Sequence, residues 1–149
     1  MKKDYNMRKY LFISVNPEFA YKIVSKEKTI ELRKVLPHVN IGDYIIIYAS
    51  SPIKSVIGYG IIKQIIEKSP QIMWSEHSEF LGIDKERFDQ YYADKDRAIG
   101  IEIHKIKKVK PISLEGLRTI DPNFHPPQVY RYVSNYKINR TIINFIDKQ

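Results

Sequence analysis

The sequence contains no cysteine, and this absence excludes disulfide bonds and thiolate metal sites. It also contains no apolar run that approaches the ~18 residues of a membrane-spanning helix. Its basic start, MKKDYNMRKY, leads into LFISV, an apolar run of only five residues that is too short for the core of a signal peptide. We therefore expect a protein that has no membrane contact and works in the cytoplasm.

Acidic residues are the scarcer charges, with 17 Asp and Glu against 25 Lys and Arg, which gives a formal net charge of +8. A basic surface favours polyanions, because each neutralised phosphate releases condensed counterions. The 11 Tyr and 6 Phe add rings that can stack on unpaired bases. A composition rich in lysine and isoleucine would raise the net charge in the same way, so charge alone leaves nucleic-acid binding open.

The length of 149 residues suits a single domain, 1–149, and hydrophobic periodicity predicts the element order β-α-β-β-β-α-α-β-α-α. Strands are expected at 11–15, 29–35, 44–50, 55–67 and 98–110. We also expect a helical insert at about 69–95, a proline-rich loop at 121–130 that enters a helix, and a C-terminal helix at about 137–148. Gly58 and Gly60 interrupt the fourth strand, as glycines do at bulges and barrel corners. The pattern predicts an α+β fold, a small and partly closed barrel with helices at its openings.

The stretch KEKTIELR, residues 26–33, combines charge with the alternation of a strand. Alternation directs Ile30 and Leu32 to one face, and Glu31 and Arg33 to the other, ~7 Å apart along the backbone. Glu31 can then hold the Arg33 fork in one orientation, so that its remaining donors face a phosphate or a carbonyl. Lys28 precedes the strand, where we expect a mobile cation over the same opening. The alternative is an exposed charge cluster that only solubilises the strand edge, worth under ~1 kcal/mol.

Three stretches in the same order resemble the ASCH domain, a member of the PUA-like superfamily. They are VNPEFAYKIVSKEKTIELRK, GDYIIIYASSPIKSVIGYG and PISLEGLRTIDPNFHPPQVYRYV, and together they span nearly the whole chain. The chain departs from the family pattern at Lys26, where the family usually has a glycine. A residue with a side chain must therefore accommodate the turn at that position, at some local cost.

The resemblance implies a PUA-like β-barrel of about five to six strands with flanking helices, and a cleft at the barrel mouth that is floored by the opening motif. It also implies binding of RNA or of modified nucleotides. Some relatives are enzymes that deacetylate N-acetylcytidine nucleosides, and others are described as ribonucleases. The deacetylating relatives are thought to use a Lys with a Thr three residues later, but here that position holds Glu31, which argues against the same covalent mechanism.

Further candidate ligand contacts lie outside the opening motif. Tyr48 and Ser50 share one face of their predicted strand and can line the cleft, although a buried Tyr48 with one hydrogen bond is equally consistent. Gln128 follows two prolines and can read a base edge from a helix start, or it can merely cap that helix. Tyr130, two residues after Gln128, is a further candidate contact. Trp74, on the helical insert, is expected in the core or in a lid over the mouth.

We predict a nucleic-acid-binding domain, for RNA rather than DNA or for a modified or flipped nucleotide, with contacts from Lys28, Glu31, Arg33, Tyr48, Ser50, Gln128 and Tyr130. The alternative is a small hydrolase acting on modified cytidines or on RNA, in which Glu31 activates water and Lys28 or Arg33 steadies an oxyanion. A third class is a transcriptional coregulator that contacts proteins. No cofactor is expected. No metal is expected either, because no two of the four histidines have ligand spacing.

Overall fold

The structure is a computed structural model that describes residues 9–132 and 136–147. Its strands are β1 (Tyr10–Val15), β2 (Ile30–Arg33), β3 (Tyr44–Ala49), β4 (Ser55–Lys68), β5 (Ala98–Ser113) and β6 (Tyr130–Tyr132). Its α-helices are α1 (Pro17–Val24), α2 (Pro70–His77), α3 (Lys85–Tyr91), α4 (Leu114–Ile120) and α5 (Tyr136–Asp147). A 3-10 turn, Ser78–Phe80, follows α2. Within the described ranges, no helix is long and apolar enough to cross a membrane.

The six strands form one mixed sheet in the order β2-β5-β4-β3-β1-β6. β1 and β3 are parallel, and the other neighbours are antiparallel. β2 and β1 are far apart in this order, yet Nη2 of Arg33 on β2 donates to the carbonyl oxygen of Ser14 on β1 at 3.2 Å. The sheet therefore curls into a half-barrel with flanking helices, and the predicted small, partly closed barrel is confirmed.

Glycines allow this curvature. The β4–β5 register shifts between Val56 and Gly58 and again between Tyr59 and Ile61, so the predicted bulges are present. A Cβ added to Gly58 would lie 2.5 Å from Cγ1 of Val24, and one added to Gly60 would lie 2.6 Å from Cγ2 of Ile103. The glycines therefore let the sheet approach α1 and its own neighbouring strand closely.

Apolar side chains form three clusters around the curled sheet. The interior cluster joins alternate residues of β1 and β3, such as Ile13 and Ile47, to Ile23 of α1. The outer cluster, which includes Phe12 and Phe124, packs the convex side of the same strands against α4 and α5. An insert cluster packs β2 against α2 and α3. Alternation along β1 therefore separates the barrel interior from its outer face.

β6 was not predicted. The proline-rich loop leads into this short strand, which pairs antiparallel with β1, and not into a helix. Three residues carry no readable periodicity, and pairing at the open edge of β1 decides their conformation. The connection between β2 and β3 is tied to β6, because the Tyr130 hydroxyl accepts from the His38 amide at 3.4 Å and the Tyr132 hydroxyl donates to the His38 carbonyl.

Candidate functional site

β2 carries the charged motif and divides it between two faces, as predicted. Ile30 and Leu32 enter the insert cluster, whereas Glu31 pairs in register with Ile101, a member of the interior cluster. Lys26, just before the strand, has φ of 71°, so a lysine does adopt the left-handed conformation that the family's glycine would favour. The tight turn brings Lys28 back beside α1, where its amide donates to the Lys22 carbonyl at 3.0 Å.

Lys28 is buried, and the expectation of a mobile cation is wrong. Its side chain is 3% exposed, and its Nζ donates to the Leu81 carbonyl at 2.5 Å. The same Nζ lies 3.7 Å from Oε1 of Glu31 and 5.3 Å from the centroid of the Phe19 ring. Loss of solvation lowers the Lys28 pKa from its usual 10.5, although the Glu31 charge acts in the opposite direction. Lys28 is therefore a fixed internal cation.

Glu31 contacts both the buried Lys28 and Arg33. Its Oε2 accepts from Nη2 of Arg33 at 2.9 Å, and the side chains of Glu31 and Arg33 are 9% and 14% exposed. Within the described residues, Nε of Arg33 is buried and has no hydrogen-bond partner. The interpretation as an exposed, solubilising charge cluster is therefore wrong. The arrangement is a row of three charges, Lys28–Glu31–Arg33, in which Arg33 is the most exposed member and is held by two oxygen acceptors.

The helical insert covers this row through the loop between Phe80 and α3. Nζ of Lys22 donates to the Gly82 carbonyl at 3.1 Å and to Oε2 of Glu18 at 3.3 Å. Arg87 of α3 makes two hydrogen bonds of 2.9 Å to the Glu18 carboxylate, and these bonds are the main reason that the Glu18 pKa falls to about 2. Sequence reasoning missed these contacts, because they join residues that are far apart in the chain. Gly82, in the left-handed conformation at φ 63°, was the available signal.

Two tyrosines at the end of α3 support the β2 backbone. The Tyr92 hydroxyl donates to the carbonyls of Arg33 at 2.8 Å and Ile99 at 3.3 Å, and burial raises its pKa. The Tyr91 hydroxyl makes a longer contact, 3.4 Å, with the Leu32 carbonyl. Tyr92 is buried and Tyr91 is half-buried, so these two neighbouring side chains lie in different environments.

Tyr48 lies elsewhere. It is 3% exposed and belongs to the outer cluster, on the face of β3 opposite to Ile47, and burial raises its pKa. The structure therefore places Tyr48 apart from Glu31 and Arg33. Ser50 is half-buried in the turn after β3, where its amide donates to the Val15 carbonyl at 2.9 Å.

Gln128 and Tyr130 lie just before and at the start of β6, and neither is on a helix. Gln128 is exposed in the loop that precedes β6, so its predicted place at a helix start is wrong. Tyr130 is half-buried against the interior cluster. Ser14 links this loop to the charge row, because its hydroxyl donates to the Pro127 carbonyl while its own carbonyl accepts from Arg33.

Sequence and structure comparisons agree with this fold. A family model described as "Domain of unknown function (DUF365)" matches residues 11–120. A protein of Zymomonas mobilis subsp. mobilis named "ASCH domain-containing ribonuclease" is 34% identical over 121 residues, which cover 81% of this chain and 82% of the relative. The chain belongs to the ASCH domain family. The resemblance of the three sequence motifs is thereby confirmed.

Solved structures place this ASCH domain among similar folds. The crystal structure of ASCH from Zymomonas mobilis superposes with a TM-score of 0.84 at 30% identity, covering 91% of this chain and 95% of that one. Human THYN1 protein, crystallised with 5-methylcytosine-containing DNA, has a TM-score of 0.53 at 7% identity and covers 91% of this chain and 96% of its own. This second similarity concerns the fold alone.

Proposed function

We propose that this ASCH domain binds nucleic acid at the barrel mouth, with RNA preferred to DNA, and that Arg33 makes the central contact. The observation that carries the proposal is the Arg33 guanidinium, which is oriented by Glu31 and by the Ser14 carbonyl while its side chain stays 14% exposed. A guanidinium held in this way can donate to a phosphate or to a base carbonyl without first losing conformational freedom. The net charge of +8 favours the same class of ligand.

The three charges have different parts in this proposal. Lys28, buried against Leu81 and Phe19, holds Glu31 in place and does not reach the ligand directly. Glu31 fixes the plane of Arg33 and can accept from a base amino group. Gln128 lies on the loop that Ser14 ties to Arg33, and Tyr130 begins β6 directly after this loop, so both can contact the neighbouring nucleotide. Lys28 is therefore a positioning residue, and Arg33 is the contact.

RNA hydrolysis is a second candidate, because the Zymomonas mobilis relative is named a ribonuclease. Glu31 would accept the proton of the attacking hydroxyl, and Arg33 would stabilise the negative charge that develops on the phosphorus oxygens. The same groups could activate water against the amide of an acetylated cytidine. The chain has no Thr three residues after Lys28, so activated water takes the place of a hydroxyl nucleophile.

The test is a titration with single-stranded RNA, duplex DNA and modified nucleosides at two salt concentrations, on wild type, Arg33→Ala and Arg97→Ala. Arg97 is the control, since it is an exposed arginine whose ion pair, with Glu67, is a long one of 4.0 Å. We expect Arg33→Ala to weaken RNA binding by about tenfold or more and Arg97→Ala to change it little, because only Arg33 is a preorganised contact.

The same samples are analysed by mass for altered nucleotides. RNA cleavage or deacetylation that disappears in Glu31→Gln, under conditions where urea unfolding shows this variant to be folded, would establish the hydrolase. Equal affinities of the Arg33→Ala and Arg97→Ala variants would contradict the proposed contact. A wild type without affinity for any nucleic acid would contradict the proposed function and favour a role as a protein-contacting coregulator.

A further inference from the structure

A groove lies between α2 and α3, on the helical side of the sheet and away from the charge row. It encloses about 250 Å³ and is lined by Pro70, Gln71, Trp74, Lys85, Phe88 and Asp89. Neither the motifs of the family nor the proposed mouth uses these residues.

One wall of the groove is the indole of Trp74. Trp74 is half-buried, and its ring packs at 5.1 Å from the ring of Phe88, which is 1% exposed. Part of the indole thus belongs to the insert cluster, and the remainder lines the groove beside Pro70. A rigid, half-open aromatic face next to an apolar floor suits a flat aromatic ligand.

Polar groups line the same groove, and Lys85 lies over the Trp74 ring as a cation–π partner that a stacking base must displace. Nζ of Lys85 lies 5.8 Å from the centroid of the Trp74 ring and is held by both carboxylate oxygens of Asp89, at 3.0 and 2.9 Å. Gln71 contributes an amide that both donates and accepts. A stacking face, a cation, a carboxylate and an amide around one small groove match the donors, acceptors and π-face of a nucleobase.

The groove is connected to the mouth along α3. Lys85 is the first residue of this helix and Tyr91 the last, a distance of about 9 Å along the axis. Nζ of Lys34 lies 4.6 Å from the centroid of the Tyr91 ring, and Lys34 directly follows Arg33. Lys34 and Lys85 therefore lie at the two ends of α3, within the span of a few nucleotides.

We infer that this groove is a second subsite, in which an unpaired nucleobase stacks on Trp74 while the strand continues past Lys34 to Arg33. The inference rests on the proposed function, because it takes the ligand to be a nucleic acid. It adds that the ligand is single-stranded, since a paired base cannot offer its face to the indole. It also predicts that affinity rises with length until the strand reaches both subsites.

Trp74 is the only tryptophan in the chain, so its fluorescence reports on the groove directly. The experiment titrates the full chain with an unpaired RNA of about eight nucleotides, a length within the range of single-strand binding sites, and with a duplex of the same sequence. We expect the single strand to quench Trp74 fluorescence in a saturable way, and the duplex to leave it unchanged. Equal quenching by both would overturn the inference.

Substitutions then measure how much stacking on Trp74 contributes to the affinity for single-stranded RNA. Trp74→Leu should weaken binding of the single strand by about tenfold, and Trp74→Phe, which keeps a stacking ring, should restore most of it. Phe80→Leu is the control, because Phe80 is 43% exposed on the same insert but does not line the groove. Urea unfolding of each variant shows that the fold is retained.

The outcomes separate this inference from the function on which it rests. RNA binding that is unchanged in Trp74→Leu, with no fluorescence change in wild type, overturns the groove but leaves binding at Arg33 intact. A wild type that binds no nucleic acid overturns both. Binding that is lost equally in Trp74→Leu and Phe80→Leu also overturns the groove, since the loss would then not depend on stacking.

Discussion

Gly82 lies directly against Lys28: a Cβ added to Gly82 would be 2.7 Å from Cβ of Lys28 and 3.0 Å from its Cγ. The carbonyl of the preceding residue, Leu81, accepts the Lys28 ammonium at 2.5 Å. The helical insert and the charged motif are therefore one structural unit, although about fifty residues separate them in the chain. The insert closes the inner end of the charge row and leaves Arg33 as its open end.

This contact predicts the effect of an alanine at Gly82. Gly82→Ala should lower the free energy of unfolding by about 2 kcal/mol or more, because it adds a clash with the lysine stem to the cost of a left-handed backbone. Gly42→Ala is the matched control, since Gly42 has φ of 94° but no atom within 4 Å of an added Cβ. Urea unfolding measures both. Equal losses would mean that the contact with Lys28 contributes nothing.

The buried pair of Lys28 and Glu31 predicts a non-additive result. Glu31→Gln should destabilise the fold by about 3 kcal/mol, because it leaves the Lys28 ammonium without its buried counter-charge. Adding Lys28→Met to Glu31→Gln should recover part of that loss, as the second substitution removes the unpaired charge. A double-mutant cycle from chemical unfolding gives the coupling. Losses that simply add would show that the two groups do not interact.

Stability should rise with pH below 10 because of Lys28. Burial lowers the Lys28 pKa in the folded chain from 10.5, so between the lowered value and 10.5 the unfolded chain binds more protons than the folded one. The free energy of unfolding then increases with pH across that window. Tyrosines such as Tyr92 have a raised pKa and act in the opposite direction only from about 10 upward.

The comparison of wild type with Lys28→Met isolates this effect. Unfolding is followed in urea from about neutral pH to below the usual pKa of tyrosine, 10.0. The free energy of unfolding of wild type, relative to that of Lys28→Met, should increase as the pH rises. A constant difference would indicate that the Lys28 pKa is the same in the folded and unfolded chains.

The hydroxyl of Tyr92 should stabilise the end of β2. Tyr92→Phe removes hydrogen bonds to the carbonyls of Arg33 and Ile99 and should lower the free energy of unfolding by about 1 kcal/mol. Tyr91→Phe is the control, because its hydroxyl makes only one contact of 3.4 Å. Thermal or urea unfolding distinguishes the two. A larger loss in Tyr91→Phe would contradict this account of how α3 supports the strand.

Much of the fold was predictable because long elements carry a strong local signal. Strands β3, β4 and β5 lie where continuous apolar runs or alternation placed them, and Gly58 lies at a bulge as expected. β6 was missed, because three residues have no periodicity and only the open edge of β1 makes them a strand. The prediction that Gln128 starts a helix was wrong for the same reason, because the short strand after it forms only by pairing with β1.

The sequence predicted which charged residues lie together, but it did not predict their burial or their contacts. Alternation along β2 correctly put Glu31 and Arg33 on one face, since side-chain direction in a strand is a local property. The burial of Lys28 was not predictable, because it depends on Leu81 and Phe19, which reach it from other elements. The separation of Tyr48 from the charge row follows likewise from which face of β3 turns outward when the sheet curls.

The sequence by itself determined the family, the longer strands of the barrel and the charged residues that share one face of β2, because these depend on local pattern and on motifs. Only the tertiary structure decided that the Lys28 amine is buried and desolvated, that Arg33 is the most exposed member of the row, and that Trp74 lines a groove between α2 and α3. The physical reason is that solvation and pairing of a side chain depend on whatever packs against it, and those neighbours come from distant parts of the chain.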